Sequence, residues 1–188
     1  MDNYTRKYPL LSLCGLNCGL CPRYHTEGTS KCPGCGGEDF YAKHPPCGVI
    51  SCVHRHGGIE YCYLCDEYPC KKYYKNGKII DSFITKQNQL ENFDRIKKIG
   101  LAACQSELNE KVEILRFLLN NYNDGRRKNF FCLAVNLLEL QDVKNVMEHI
   151  VTESQSNDSI KEKAAIVAHL FEAMAGERNI ILKLKAKE

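Results

Sequence analysis

The stretch that decides the fold is CGLNCGLCP, residues 14–22, which places three cysteines within eight residues. It opens a dense series that ends at residue 70, whereas the rest of the chain contains only Cys104 and Cys132. The series consists of Cys14, Cys18, Cys21, Cys32, Cys35, Cys47, Cys52, Cys62, Cys65 and Cys70. Such crowding favours metal binding over a disulfide scaffold, because reducing compartments keep ordinary thiols reduced. We therefore predict that the amino-terminal part binds metal.

Three pairs of cysteines have the C-x2-C spacing typical of zinc knuckles: Cys18/Cys21, Cys32/Cys35 and Cys62/Cys65. Two residues between the thiolates allow one tight turn to direct both sulfurs at a single ion, which is why this spacing recurs in structural zinc sites. Because tetrahedral zinc takes four ligands, the series supplies two complete sites and leaves two thiols over. The sequence therefore predicts about two zinc ions per chain.

The spacing leaves open which cysteines share an ion. The most economical scheme builds one site from four consecutive cysteines, Cys32, Cys35, Cys47 and Cys52. The second site then unites the first and last pairs, Cys18, Cys21, Cys62 and Cys65, and Cys14 and Cys70 are spare thiols or replacements. An interleaved arrangement or a cluster with bridging thiolates would use the whole series. Four histidines are expected to surround the sites rather than to ligate: His25, His44, His54 and His56.

One spacing permits an enzymatic alternative. Cys14-x3-Cys18-x2-Cys21 matches the spacing by which radical S-adenosylmethionine enzymes hold an iron–sulfur cluster. Those enzymes usually have an aromatic residue where this chain has Leu20, and strand–helix units where this chain has further cysteines. An iron–sulfur or thiol-dependent enzyme using spare Cys70 or Cys14 is therefore the alternative reading. No residues form a recognisable catalytic or organic-cofactor site, and Cys104 and Cys132 are interpreted as small core residues.

The chain after residue 80 has helical periodicity. Apolar stripes predict helices from Asn88 to a cap at Gly100, through Leu108–Tyr122, over Lys128–Leu138 and over Leu140–Val151. Residues 153–158 form a polar linker, and a capping box of Ser159 and Glu162 opens a further helix that runs to Gly176. Lysines alternate with apolar residues from Ile180 to Lys187, which predicts a short half-buried strand.

These patterns predict an α+β fold that is mostly helical. A small irregular cysteine-rich domain, residues 1–80, would pack on a helical domain, residues 81–188, that ends in the short strand. No apolar run approaches the roughly 18 residues of a membrane span, and the early apolar cluster at residues 9–13 is too short for a signal peptide. We therefore expect a cytoplasmic protein without a membrane partner.

The charge balance weighs against general nucleic-acid binding, so a weak nucleic-acid binder is only a further alternative function. The formal net charge is +3, and two zinc ions held by eight thiolates would change it to about −1. Residues 81–188 carry 16 basic and 16 acidic side chains, so they supply no basic face. One basic cluster, Arg126, Arg127 and Lys128, lies at the start of a predicted helix, where the dipole disfavours positive charge. Pairing with Asp124 would explain it, and the alternative is an anion site for a phosphate or a partner's carboxylate.

The cysteine series resembles that of a known family. The run of residues 14–22, the pairs Cys32-x2-Cys35 and Cys47-x4-Cys52, and the segment YCYLCDEYPC at residues 61–70 are similar to small bacterial and archaeal cysteine-rich proteins grouped as a domain of unknown function. The resemblance covers about residues 10–100 and implies a zinc-holding domain without an agreed activity or partner. We therefore interpret the chain as a binding or adaptor module with structural four-cysteine sites, for an unknown protein partner or anionic ligand.

Overall fold

The apolar stripes that follow residue 88 fold as helices. The computed structural model describes residues 4–153 and 159–185. Its α-helices are α1 Phe40–Lys43, α2 Gly48–Arg55, α3 Gln89–Ile99, α4 Leu101–Asn121, α5 Lys128–Leu137, α6 Leu140–Glu153 and α7 Ile160–Glu177. Four short 3-10 turns are Cys18–Leu20, Gly28–Ser30, Cys62–Leu64 and Lys71–Tyr73. None of the helices in these described ranges combines the length and apolarity needed to cross a membrane.

The predicted helix ends are confirmed where the sequence carries capping signals. Gly100 ends α3 with a positive φ of 91° and donates its N–H to the Ile96 carbonyl. Ser159 and Glu162 form the complete capping box at the start of α7. Both signals act through local hydrogen bonds, so they specify the helix boundary independently of tertiary packing. Most of the predicted linker, residues 154–158, lies outside the described residues.

The predicted carboxy-terminal strand, and with it the α+β class, is wrong. The described residues contain helices, turns and two isolated bridges but no strand. The side-chain exposure still alternates, since Ile180, Leu182 and Leu184 are partly buried and Ile181, on the lysine face, is 77% exposed. An alternating pattern forms a strand only against a neighbouring ladder, and the segment's contact with Asp81 is confined to Lys185, whose N–H and carbonyl bond the Asp81 carboxylate and N–H. Residues 186–188 lie outside the described residues.

The chain divides into two compact units, Met1–Leu108 with Lys185–Glu188, and Asn109–Leu184. The division falls within α4. The predicted boundary at residues 80 and 81 rests on composition, and separate folding of its two parts stays a prediction.

The second unit is built on helix packing. Helix α7 contacts both α5 and α6, and the Phe131 and Phe171 rings lie 6.3 Å apart, centroid to centroid. Its fully buried side chains include Phe131, Val135, Leu138, Val143, Ile150, Val167 and Phe171. Asp142 is buried and accepts hydrogen bonds at 2.6–3.0 Å from the Arg178 guanidinium, which joins the start of α6 to the end of α7. Apolar burial and an ion pair between a buried carboxylate and a half-exposed guanidinium hold this unit together.

The first unit has a small apolar cluster that includes a cysteine. It consists of Leu13, Cys35, Phe40, Ile50 and Val53. A second centre forms around Phe93 of α3, which is fully buried and packs against the rings of Tyr61, Tyr63 and Tyr68. Helix α3 is thereby fixed beside the cysteine-rich segment.

Tight backbone contact joins α3 to the first cysteine turn. The Gln89 and Asn92 side chains donate to the carbonyls of Cys14 and Gly15, each at 2.8 Å. Gly15 has φ of +90°, and a Cβ there would lie 2.4 Å from the Gln89 carbonyl oxygen. Only glycine satisfies both the positive φ and the close approach. The Gly in CGLNC is therefore required for packing as well as for the turn.

Candidate metal centre

Two of the three C-x2-C pairs adopt the same backbone turn. Cys21 N–H donates to the Cys18 carbonyl at 3.1 Å, and Cys65 N–H donates to the Cys62 carbonyl at 3.0 Å. The next turn repeats as well, because Tyr24 N–H bonds the Cys21 carbonyl at 2.9 Å and Tyr68 N–H bonds the Cys65 carbonyl at 3.0 Å. The turns at Cys18 and Cys62 therefore have the same backbone hydrogen bonds.

A sequence signal for this repeat exists beyond the cysteine spacing. CGLCPRY at residues 18–24 and CYLCDEY at residues 62–68 share the pattern C-x-L-C-x2-Y. Cysteine spacing alone shows the recurring pairs but not the shared leucine and tyrosine. Comparing the residues that flank each pair would have found them.

The third pair, Cys32 and Cys35, is anchored by the backbone of other segments. Cys32 N–H donates to the Arg23 carbonyl and Cys35 N–H to the Pro9 carbonyl, each at 2.9 Å. Gly34 between them has φ of +85°, and a Cβ there would come within 2.5 Å of the Pro9 carbonyl oxygen. This pair is thus held against the first knuckle and the segment that precedes it.

The first neighbourhood of thiols combines the pair Cys18/Cys21 with the pair Cys32/Cys35. Burial raises the pKa of Cys18 well above its ordinary value, and the nearby sulfurs of Cys35, Cys14, Cys21 and Cys32 raise it further. Burial also raises the pKa of Cys21, while the backbone N–H groups of Arg23 and Tyr24, which bond its sulfur, oppose that shift. Such N–H donors stabilise a thiolate.

The second neighbourhood is a cavity with cysteines along its wall. Its wall includes Cys14, Cys52, Cys62, Cys65, Cys70 and His56. Burial raises the pKa of Cys62 to about 12, the Tyr73 hydroxyl lowers it, and Cys14, Cys70 and Cys52 raise it. Cys65 Sγ lies 3.7 Å from His56 Nδ1. Five thiols and an imidazole therefore face one space.

Cys14 adjoins both neighbourhoods. Burial raises its pKa to about 11, the Ser12 hydroxyl, 3.1 Å from its sulfur, lowers it, and Cys35 and Cys47 raise it. Cys14 also lines the second cavity. Cys14 therefore lies close to other thiols. A spare thiol would be expected to lie apart from them.

These neighbours differ from the most economical pairing. The structure brings Cys18 and Cys21 towards the pair at residues 32 and 35 rather than towards the pair at residues 62 and 65. Within residues 4–153 and 159–185, no three Cys, His, Asp or Glu side chains lie close enough to share one metal ion. The neighbourhoods are thus arrangements of suitable donors and not coordination spheres, and the assignment of ligands stays a prediction.

The histidines lie around the thiols. His25 Nε2 and the Gly19 carbonyl are 2.7 Å apart, the His44 ring stacks on Phe40, and the His54 ring meets the edge of Tyr4. The His56 imidazole contacts the thiol of Cys65.

The remaining candidate residues lie elsewhere. Cys132 is buried in α5, and Cys104 is partly exposed on α4. Arg126, Arg127 and Lys128 lie at the start of α5, where the Asp124 carboxylate accepts the Arg126 backbone N–H at 2.9 Å. That bond places a negative charge beside the basic cluster, as the pairing explanation requires. The anion site stays a prediction.

Comparison with known proteins points to the cysteine-rich segment alone. No curated protein and no solved structure matches the chain. A family model described as a protein of unknown function, DUF3795, matches residues 10–75, the segment that contains all ten clustered cysteines.

Proposed function

We propose that residues 10–75 form a zinc-binding module in which cysteine thiolates hold two metal ions and the metal stabilises a surface for a binding partner. One observation carries the proposal: nine of the ten clustered cysteines occupy two neighbourhoods, and each neighbourhood contains one copy of the same knuckle turn. The presence of two equivalent turns favours two separate ions over a single metal cluster with bridging thiolates.

The electrostatics of the thiols favour a divalent cation. Burial and neighbouring sulfurs raise the pKa of Cys14, Cys18 and Cys62. Crowded, buried thiolates repel one another, and a bound cation offsets both the repulsion and the loss of hydration. The donor types fit zinc, which prefers sulfur and imidazole ligands. Coordination would require movement of the side chains, since no three donors already surround one point in the described residues.

A structural role fits better than a catalytic one. Four thiolates fill the coordination shell of zinc and leave no position for water or substrate. Bound zinc would supply a fixed tie between chain segments. The chain itself supplies backbone N–H donors to the Cys21 sulfur and the glycine contacts that hold each turn. The radical S-adenosylmethionine alternative is weakened because the motif at residues 14–21 is not followed by strand–helix units in the described part of the chain.

Metal analysis of single-cysteine variants tests the proposal. We expect about two zinc ions per chain in wild type by elemental analysis and native mass spectrometry. Cys21→Ser and Cys65→Ser each remove a ligand from a different neighbourhood, so each should reduce the content to about one ion. Cys104→Ser is the matched control and should retain the wild-type content, because Cys104 lies on α4 outside both neighbourhoods.

Three outcomes would contradict this function. Folded wild-type protein without metal would exclude a metal-dependent module. A brown protein with stoichiometric iron and sulfide would favour the iron–sulfur alternative. If either serine variant lost both ions while remaining folded, the cysteines would form one shared cluster rather than two sites.

A further inference from the structure

Tyr73 is a buried tyrosine with an unsatisfied hydroxyl. The residue is 7% exposed, and its hydroxyl has no hydrogen-bond partner among the residues that the structure describes. A buried hydroxyl without a partner is unfavourable, so each such group calls for an explanation. Tyr73 lines the second cavity together with the five cysteines, among them Cys62, whose pKa the Tyr73 hydroxyl lowers.

The strength of the Cys62 sulfur as a hydrogen-bond acceptor depends on whether it is a neutral thiol or a thiolate. A neutral thiol is a weak acceptor, whereas a metal-bound thiolate carries negative charge and accepts hydrogen bonds well. We propose that Tyr73 is a positioning residue whose hydroxyl donates to the Cys62 thiolate when the second cavity holds its metal ion. This inference rests on the proposed zinc binding and identifies the cavity as one of the two sites.

The local structure suits Tyr73 to this role. It closes the 3-10 turn Lys71–Tyr73 that follows Cys70, and its N–H donates to the Cys70 carbonyl at 3.1 Å. Its ring meets the edge of Tyr68 at a centroid distance of 5.4 Å, which restricts the direction of the hydroxyl. One short turn therefore fixes both Cys70 and the donor to Cys62. Groups of this kind orient metal ligands and strengthen metal binding.

Tyr73→Phe tests the inference because it removes only the hydroxyl. The variant and wild type are loaded with Co²⁺, and affinity is measured by competition with a chromophoric chelator. We expect one of two bound ions to bind about 10–100-fold more weakly in the variant. The sulfur-to-cobalt charge-transfer band should move to longer wavelength, since a thiolate without its donor is more easily oxidised. Loaded protein alone gives this band, so it stays informative if the variant is less stable.

Tyr61→Phe is the matched control. Tyr61 is 1% exposed and its hydroxyl also lacks a partner within the described residues, but Tyr61 is not part of the cavity wall. We expect wild-type cobalt affinity and band position in this variant. An unchanged band and affinity in Tyr73→Phe, or equal changes in both variants, would overturn the role of Tyr73. Wild-type protein that binds no cobalt would instead overturn the proposed function, and this inference with it.

Discussion

The cysteine-rich segment and the helical unit bury their interiors with different side chains. In the unit Asn109–Leu184, large apolar residues such as Phe131, Leu138 and Phe171 are fully buried between helices of 10–21 residues. In the cysteine-rich segment, α1 has four residues and α2 has eight, and a thiol, Cys35, belongs to the apolar cluster. Thiols occupy positions where the helical unit has aliphatic and aromatic side chains. The difference indicates that apolar burial stabilises the helical unit, whereas the proposed function assigns the stability of the segment to bound metal.

The largest predicted effect is that of metal removal, which should unfold the cysteine-rich segment but not the helical unit. Structural zinc sites contribute about 10–16 kcal/mol of binding free energy, which is coupled to folding. Treatment with a strong chelator should therefore unfold residues 10–75 and leave α5–α7 folded. Hydrogen–deuterium exchange measured by mass spectrometry should show lost protection in the cysteine-rich peptides and retained protection in peptides from residues 128–177. Cys35→Ser should give the same pattern in a milder form.

Loss of the whole helical circular dichroism signal on mild chelation would break the comparison. The two regions would then unfold as one cooperative unit, and metal would stabilise both. Chelation of the Cys104→Ser variant serves as a control for nonspecific thiol effects, since its exchange pattern should match that of wild type.

Shortening a buried side chain in the helical core should destabilise the helical unit and leave the metal sites intact. This effect should be smaller than that of metal removal. Phe171 is fully buried, and replacement of a buried Phe by Ala costs about 3–5 kcal/mol. Phe171→Ala should lower the free energy of unfolding of the helical unit by that amount without changing the zinc content. Phe117 is 48% exposed on α4, so Phe117→Ala is the matched control and should lower the free energy of unfolding much less than Phe171→Ala does. Loss of zinc from Phe171→Ala would show that the regions depend on one another.

The sequence predicts the helical part well because its signals are local. Gly100 and the Ser159–Glu162 box act through hydrogen bonds within a few residues, so their effects do not depend on the rest of the fold. The strand predicted from the alternation after Ile180 is wrong because a strand needs a neighbouring strand, and the sequence does not show that the described residues supply none. Tertiary structure therefore decides whether the carboxy-terminal segment forms a strand, whereas local hydrogen bonds decide where the helices begin and end.

The arrangement of the thiols could likewise be predicted only in part from the sequence. Spacing alone predicts tight turns at Cys18 and Cys62, and the structure has a 3-10 turn at each position. Their partners depend on long-range backbone contacts, such as the Cys35 N–H bond to Pro9 and the close approach of α3 to Gly15. Spacing contains no information about these contacts. The cavity role of Tyr73 was equally hidden, because a tyrosine beside cysteines has many possible neighbours.

The smallest predicted effect concerns the capping box of α7, and it tests whether the helical unit responds to pH without the metal sites. Hydrogen bonds from Ser159, whose N–H reaches Glu162 Oε2 at 2.8 Å, lower the pKa of Glu162. A lowered folded-state pKa contributes stability that is fully present above the unfolded value near 4.5 and is lost as pH falls through the folded value.

Glu162→Gln can keep the side-chain acceptor but loses the charge. Wild type should therefore exceed the variant slightly in thermal midpoint at neutral pH, and the gap should close as pH falls through the lowered folded-state pKa of Glu162. The measurement is the helical circular dichroism signal with chelator present, so that acid release of metal affects neither curve. Glu172→Gln, near the middle of the same helix, controls for net charge. A gap that persists at low pH, or an equal pH dependence in the control, would show that the charge of Glu162 is not what stabilises the start of α7.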